Sequence, residues 1–401
     1  MQKSRLLTIF VIVFIDLLGF GLILPLLPYF ADTFNASSTV VGLLVASYAM
    51  AQLIGVPMLG RLSDRYGRRP ILMVSAFGTL IGFLLLGFAN SLWMLFASRI
   101  IDGLTGGNIS VARAYITDIT DEKNRAKGLG LIGAAFGLGF VIGPAVGGIL
   151  SAGGHYSIPA FAAATLTTLN LIAMYFWLTE SLTPERRQAM SQKARAAFNW
   201  HSLWDAFQRP GVGPLLHITF VYSLAFVTFE GIFTLYAQKR LGLESHQTGY
   251  LLAYMGILVV IVQGGVIGRL AARYSEAQLM LAASVLLTLS LLGWAFASSV
   301  LALMIILVPL SLGAGIMMTA IHSAISKSVQ PDEIGGTMGL SAGLESVTRA
   351  IGPALGGVLL DAFGTWAPGI FSALLMLWVV TFVWRRLFLK HISVPSEAPA
   401  D

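Results

Sequence analysis

Seven ionisable residues interrupt stretches that are otherwise apolar for about twenty residues: Asp16, Arg99, Asp102, Arg113, Glu230, Glu345 and Arg349. Holding such a side chain in a bilayer costs upward of about 2.5 kcal/mol, so each is either a working group or half of a buried ion pair that keeps helices in register. The chemistry open to them is proton binding and release, and recognition of charge on a substrate. Asp16 has no charged neighbour in its own helix, which makes it a candidate for proton exchange. Glu230 is the rival carboxylate, and either could instead serve structure through hydrogen bonds.

Spacing groups the others. At about 100° per residue, Arg99 and Asp102 lie about 300° apart, and Asp102 and Arg113 about 20° apart after whole turns. All three are therefore predicted on one face, turned to a cavity, with Asp102 neutralised by its arginines. Gly103, Gly106 and Gly107 lie between them; they allow close packing and could also shift the phase. Glu345 precedes Arg349 by four residues, the favourable acid-first order for a salt bridge. That pair is predicted either to couple transport or contact substrate, or to lock the helix in place.

The elements that must hold these groups are membrane helices. The chain has 401 residues, 56% hydrophobic and 11% charged, with mean hydropathy +0.79, against roughly a quarter charged in a soluble domain. So little charge cannot coat two or three water-soluble domains, and that class is excluded. With no cysteine, disulfides, thiolate metal sites and cysteine nucleophiles are excluded too. A net charge of +6 would raise nucleic acid as a partner of a soluble protein. Here no nucleic acid is expected, and the charge maps topology instead.

Apolar runs of about 20 residues, enough for a core of about 30 Å, predict twelve spans at 6–30, 41–61, 70–89, 92–117, 126–150, 157–178, 212–237, 247–268, 277–297, 300–325, 335–360 and 366–384. The first follows a basic leader, Met1 to Arg5, but lacks a small-x-small cleavage site and is long enough to span, so it is read as a retained helix. Of the 25 Lys and Arg residues, Arg99, Arg113 and Arg349 fall inside spans and Lys239 and Arg240 on one side; all others fall on the opposite side. The positive-inside rule then puts both termini and the central loop in the cytoplasm, in a multi-pass protein of the cell (inner) membrane.

The fold class expected is an all-α polytopic membrane protein, with twelve transmembrane helices in two pseudo-symmetric six-helix halves. Residues 1–180 form the N-terminal half and 212–390 the C-terminal half. Between them, 181–211 is a cytoplasmic linker whose Lys/Arg, Trp200 and Trp204 predict an amphipathic piece on the membrane surface. Residues 391–401 are a predicted disordered tail. Duplication supports the two halves. Gly60-Arg61-Leu62 to Arg65-Tyr66 returns as Gly268-Arg269-Leu270 to Arg273-Tyr274, and Ile142-Gly143-Pro144-Ala145 returns as Ile351-Gly352-Pro353-Ala354, at offsets of 208 and 209. Parallel repeats around a midplane site are a transporter architecture. By the same offset Glu345 and Arg349 correspond to Phe136 and Phe140, so the polar pair belongs to one half alone.

These residues resemble the major facilitator superfamily, and within it the drug/proton antiporters that include the tetracycline exporters. Gly60-Arg61-Leu62-Ser63-Asp64-Arg65-Tyr66-Gly67-Arg68-Arg69-Pro70 is similar to that superfamily's loop between helices two and three. Asp16 to Gly21 with Pro25 and Pro28, Arg99 to Gly103, and Ala114 to Asp118 resemble exporter patterns in helices one and four. Gly139, Gly143, Pro144, Gly147 and Gly148 look like the fifth-helix motif of antiporters. The resemblance implies alternating access, proton-driven export of small amphipathic molecules, and a cytoplasmic gate latch at Gly60, Asp64, Arg65, Gly67, Arg68 and Asp118. Physically, Asp64 could meet the positive end of a helix and Arg68 could reach Asp118 if their helices adjoin. The chain departs from the tetracycline exporters in having no histidine in span 247–268, and at Arg113, Glu230, Glu345 and Arg349.

Gln52, Phe136, Tyr222 and Phe226 are candidates to line a substrate pocket, against the alternative of ordinary packing. Gly339 to Gly343 fits G-x-S-x-G and Gly128 to Gly133 fits G-x-G-x-x-G, but neither has the strand-and-turn context its chemistry needs. His217 and His322 are isolated, without metal-ligand spacing. With no nucleophile constellation and no Walker loop, the chain is expected to be a monomeric transporter and not an enzyme, with no cofactor. Its partners are a small-molecule substrate, protons and membrane lipid. Export of a siderophore, lipid or metabolite, or nutrient uptake on the same fold, stays open.

Overall fold

Proline, glycine and serine punctuate a chain of helices. The computed structural model describes residues 2–183, 185, 187, 205–330 and 333–388, among which there is no strand. The predicted amphipathic piece around Trp200 and Trp204 and the predicted tail lie outside the described residues.

Helix α1 (Gln2–Ile23) gives way to one 3-10 turn, Leu24–Leu26, and then α2 (Leu27–Asp32). Pro25 and Pro28 each remove a helix donor there. Ser37 caps α3 (Ser38–Tyr66), its hydroxyl accepting from the Val40 N–H at 3.3 Å. Then come α4 (Arg68–Gly87), α5 (Leu92–Thr105), α6 (Asn108–Ile119), α7 (Glu122–Leu150) and α8 (Ser157–Trp177). Later in the chain stand α9 (Gly213–Leu241) and α10 (Ser245–Ile261), the latter continuing through a π turn, Val262–Val266, into α11 (Ile267–Ala271). Helix α12 (Glu276–Ala295) starts with a Ser275/Gln278 capping box. Helices α13 (Val300–Lys327), α14 (Ile334–Phe363) and α15 (Ala367–Val383) follow.

Ten helices among the described residues are long and apolar enough to cross a membrane. Two of the twelve predicted spans are not in that set, each for a local reason. The fourth is two helices, α5 and α6, because the chain breaks at Gly106 and Gly107. The eleventh is α14, whose 30 residues reach about 45 Å at 1.5 Å per residue; its Gly, Ser and Thr content with Glu345 and Arg349 dilutes its hydropathy.

Contacts divide the chain into two units, Met1–Arg195 with Ile232–Ile257, and Ala196–Gly231 with Leu258–Asp401. In the first, α1 and α7 approach backbone to backbone where their glycines meet: a Cβ on Gly143 would stand 2.7 Å from the Gly21 Cα, and one on Gly21 2.8 Å from the Gly139 carbonyl oxygen. Around this seam Ile9, Ile12, Val13 and Leu17 pack with Leu72, Tyr115, Ile132 and Met174. In the second unit the repeat does the same work. Gly231 faces Pro353, and a Cβ on Gly352 would meet Val227 Cγ1 at 3.0 Å. The fifth-helix glycines are thus packing surfaces in place. Gly143→Ala should destabilise the protein by about 1–3 kcal/mol, because backbone and not a movable side chain opposes the methyl. A lowered midpoint in thermal unfolding of the purified protein checks this.

Candidate functional site

Three polar clusters hold the residues singled out from sequence, two in the first unit and one in the second.

The first is the end of α3 and the start of α4. Gly67 turns the chain there at φ +107°, a conformation that side-chain-bearing residues rarely adopt. Arg68 is 2% exposed and its guanidinium joins two helix ends: Nη1 lies 2.6 Å from Asp64 Oδ1, and Nε lies 3.1 Å from Asp118 Oδ2 at the end of α6. Nη1 also donates to Ser63 Oγ at 2.6 Å, and Ser181 Oγ donates to Asp118 at 3.0 Å. The predicted reach of Arg68 to Asp118 is therefore present, and Gly60 sits within it, its carbonyl accepting from Ser63 Oγ at 2.7 Å. Arg65 does not join; it is exposed, with its guanidinium over the Tyr66 ring.

Sequence reasoning missed Glu180. Its Oε1 accepts from the Arg68 N–H at 2.9 Å and its Oε2 from the Arg69 N–H at 3.1 Å, capping the free amides of α4. An anion at a helix N-terminus also meets the positive end of the helix dipole. A Cβ on Gly67 would come 2.5 Å from Glu180 Oε2, so the glycine serves both the turn and the carboxylate's approach. The available signal was an acid just after a span, where positive residues dominate.

The second cluster lies within the spans of the first unit. Arg99 pairs with Asp102 at 3.2 Å, both essentially buried, and donates to Ser98 at 3.1 Å. Asp16 is part-buried and accepts from Asn108 Nδ2 at 2.9 Å. It has no basic partner among the described residues. Tyr48 lies within electrostatic range of Asp16, Asp102 and Arg99. The expectation that Arg113 shares the Arg99 and Asp102 face fails: the Gly106–Gly107 break resets the helical phase, and Arg113 is exposed while the other two are buried. That break is itself held, because Gln52 Nε2 donates to the Gly106 carbonyl at 3.0 Å and to Tyr48 OH at 3.2 Å. Gln52 is thereby committed to the fold. Phe136 stacks on Phe140 at 6.0 Å, and Phe140 in turn meets Phe20.

At the end of the first unit away from Arg68, a set of ties joins α2 and α3 to the turn between α9 and α10. Gln238 donates to Asp32 at 3.0 Å, Lys239 to Ser38 at 2.6 Å, and Tyr29 OH to the Leu243 carbonyl at 2.7 Å.

The third cluster belongs to the second unit. The predicted pairing of Glu345 with Arg349 is replaced by two pairs across helices. Arg349 Nη1 lies 3.6 Å from Glu230 Oε2 on α9, and Glu345 Oε1 lies 3.4 Å from His322 Nε2 on α13. Partners on neighbouring helices outcompete the i,i+4 neighbour, whose isolated worth is about 0.2–0.5 kcal/mol. His322, set aside from sequence as isolated, is thus brought into the site. Tyr222 stacks on Phe226 at 6.0 Å, and its OH donates to the Ala314 carbonyl at 3.2 Å. Among the described residues no group of three or more His, Asp or Glu could hold a metal.

The family model described as Major Facilitator Superfamily matches residues 9–342 and 264–400. The chain is 33% identical to the tetracycline resistance protein, class B, of Escherichia coli, over 88% of this chain and 87% of that one. It is 29% identical to multidrug resistance protein 2 of Bacillus subtilis (strain 168), over 94% and 96%. Among solved structures, a bacterial homolog to the human lysosomal transporter Spinster, in an inward-facing and occupied conformation, superposes with TM-score 0.78 at 15% identity, covering 98% of each chain, which shows the shared fold.

Proposed function

This chain belongs to the Major Facilitator Superfamily, and we propose that it exports small amphipathic, drug-like molecules by alternating access in exchange for protons. Its relatives named for tetracycline and multidrug resistance support the export of drugs. The observation that carries proton exchange is Asp16. Asp102, Glu230 and Glu345 each have a basic partner, whereas Asp16 meets a neutral amide. Asn108 suits both protonation states: its Nδ2 donates to the carboxylate, and its buried Oδ1, without a partner among the described residues, could accept from the acid after an amide flip.

One proton moving down 100 mV releases about 2.3 kcal/mol, enough to hold an uncharged substrate at about a fifty-fold gradient. To use it, proton and substrate must bias the inward- and outward-open states differently. The Arg68 latch and the Asp32 and Ser38 ties stand at opposite ends of the first unit and would open in turn. In this reading the chain works as a monomer in the inner membrane, its halves spanning 1–180 and 212–390, with both termini and the latch cytoplasmic. Phe136, Tyr222 and Phe226 contact substrate.

Accumulation of tetracycline and ethidium in cells lacking their own pumps tests this. Expression of the protein should lower accumulation of at least one of them, and an uncoupler should restore it. Unchanged accumulation of both with well-expressed protein would refute drug export.

A further inference from the structure

We propose that the edge of the second unit where α9 meets the end of α15 is a binding site for an anionic phospholipid, whose phosphate is held by Arg385, Arg386 and the His217 imidazole. The site is separate from every residue given a part in transport above, and it stands whatever the chain exports.

Three aromatic rings hold His217. On α9 its imidazole lies nearly parallel to Phe382 of α15, at 5.6 Å and 17°, and 5.2 Å from Trp378 at 31°. Phe207, just before α9, meets it edge-on at 5.9 Å and 90°. Trp378 and Phe382 also stack on each other at 4.8 Å, so the plane of the imidazole is fixed by a packed set. His217 is nevertheless exposed, and neither ring nitrogen has a hydrogen-bond partner among the described residues. A ring held in place with unsatisfied nitrogens presents a donor to whatever lies outside.

Helix α15 says what lies outside. Leu374, Leu377, Trp378 and Thr381 are all exposed, at the spacing of one helix face. In a chain that spans the membrane, a face this apolar lies against acyl chains. At its end α15 runs into a π turn, Trp384–Phe388, in which Trp384, Arg385 and Arg386 are exposed. Trp378 and Arg385 are seven residues apart, a rise of about 10 Å at 1.5 Å per residue. That is about the depth over which a bilayer passes from acyl chain to headgroup. Tryptophans on either side of the step mark the same boundary.

Charge selects the lipid. Among the described residues neither Arg385 nor Arg386 has an ion-pair partner. Glu333 is taken by Arg209 at 3.0 Å, and α15 carries no acid in Ala367–Val383. A zwitterionic headgroup brings its own cation to this place and gains little from two more. A headgroup whose only charge is its phosphate gains both guanidinium groups, whose planar paired donors match phosphate oxygens. The imidazole, one step deeper, donates to the same phosphate from the acyl-chain side.

Native mass spectrometry of the purified full chain in detergent, with equal amounts of dioleoyl-phosphatidylglycerol and dioleoyl-phosphatidylcholine, reads the first lipid bound. The parent should prefer phosphatidylglycerol by about thirtyfold, which is about 2 kcal/mol, at about 1 kcal/mol for each arginine. Arg385→Gln with Arg386→Gln should lose most of that preference, and Arg385→Lys with Arg386→Lys should keep the larger part, which separates lost charge from lost fold. Arg269→Gln with Arg273→Gln removes equal charge from exposed positions elsewhere in the chain and should leave the preference as it is. His217→Phe keeps a stacking ring and removes the donor. Since both lipids carry a phosphate, it should weaken the first binding of either by about fivefold, the worth of one hydrogen bond. No preference in the parent, preference retained without Arg385 and Arg386, an equal loss on removing Arg269 and Arg273, or undiminished binding by His217→Phe would overturn the proposal.

Discussion

Asp16→Asn is expected to abolish uncoupler-sensitive efflux while leaving a folded protein that still exchanges labelled substrate for unlabelled. Asparagine keeps the size of the side chain and an acceptor oxygen for Asn108 Nδ2, which now stands 2.9 Å from the carboxylate. It removes the proton. With that coupling lost, the membrane potential can no longer be spent on the substrate, and the gradient held at 100 mV should fall by about fifty-fold, from the roughly 2.3 kcal/mol each proton supplies. Glu230→Gln should behave differently, because Glu230 is already neutralised by Arg349; it should keep uncoupler-sensitive export in part. Steady-state accumulation and exchange assays on matched amounts of protein separate the two. The opposite ranking would move the proton from the first unit to the second.

Arg68→Ala should cost more stability than any other single change in the chain's polar clusters. Arg68 is 2% exposed and holds Asp64 and Asp118, whose side chains are 10% and 12% exposed. Removing one partner of a buried ion pair leaves uncompensated charge and typically costs about 3–5 kcal/mol; here two carboxylates lose the same guanidinium at once. Transport should be lost and the unfolding midpoint of the purified protein should drop steeply. Arg68→Lys should not rescue, since one ammonium cannot reproduce the separate Nε and Nη1 contacts. The double variant Arg68→Ala with Asp118→Asn should recover about 1–2 kcal/mol relative to Arg68→Ala with Asp118 intact, because the two sites are coupled. Additive losses in that cycle would show that the observed contact carries little energy.

The fold was legible where one physical demand acts along the chain. Long apolar runs can satisfy their backbone polar groups in lipid as helices, so the spans could be read directly, and the returning Gly-Pro run marked a packing surface that the structure shows in both units. The Gly60 to Pro70 loop was legible because its turn, its acid and its arginine act within eight residues of one another. What escaped depends on contacts between distant segments. Glu180 meets amides 112 residues away, and His322 meets Glu345 from a neighbouring helix; no spacing within one helix encodes either. The reading of Arg113 failed for a different reason. It carried a single helical phase through Gly106 and Gly107, and two adjacent glycines are where that phase is least secure. The Glu345 and Arg349 pair failed because spacing names the nearest partner along a helix and not the better-placed one across it.

The most direct measurement of the central claim follows protons and substrate together in vesicles containing the purified protein. With an acid interior and a pH-sensitive dye, adding tetracycline or ethidium outside should start substrate uptake and a matching proton efflux, and both should be absent with Asp16→Asn. Substrate uptake that proceeds at the same rate without the pH difference, and with no proton movement, would contradict proton-driven export by this protein.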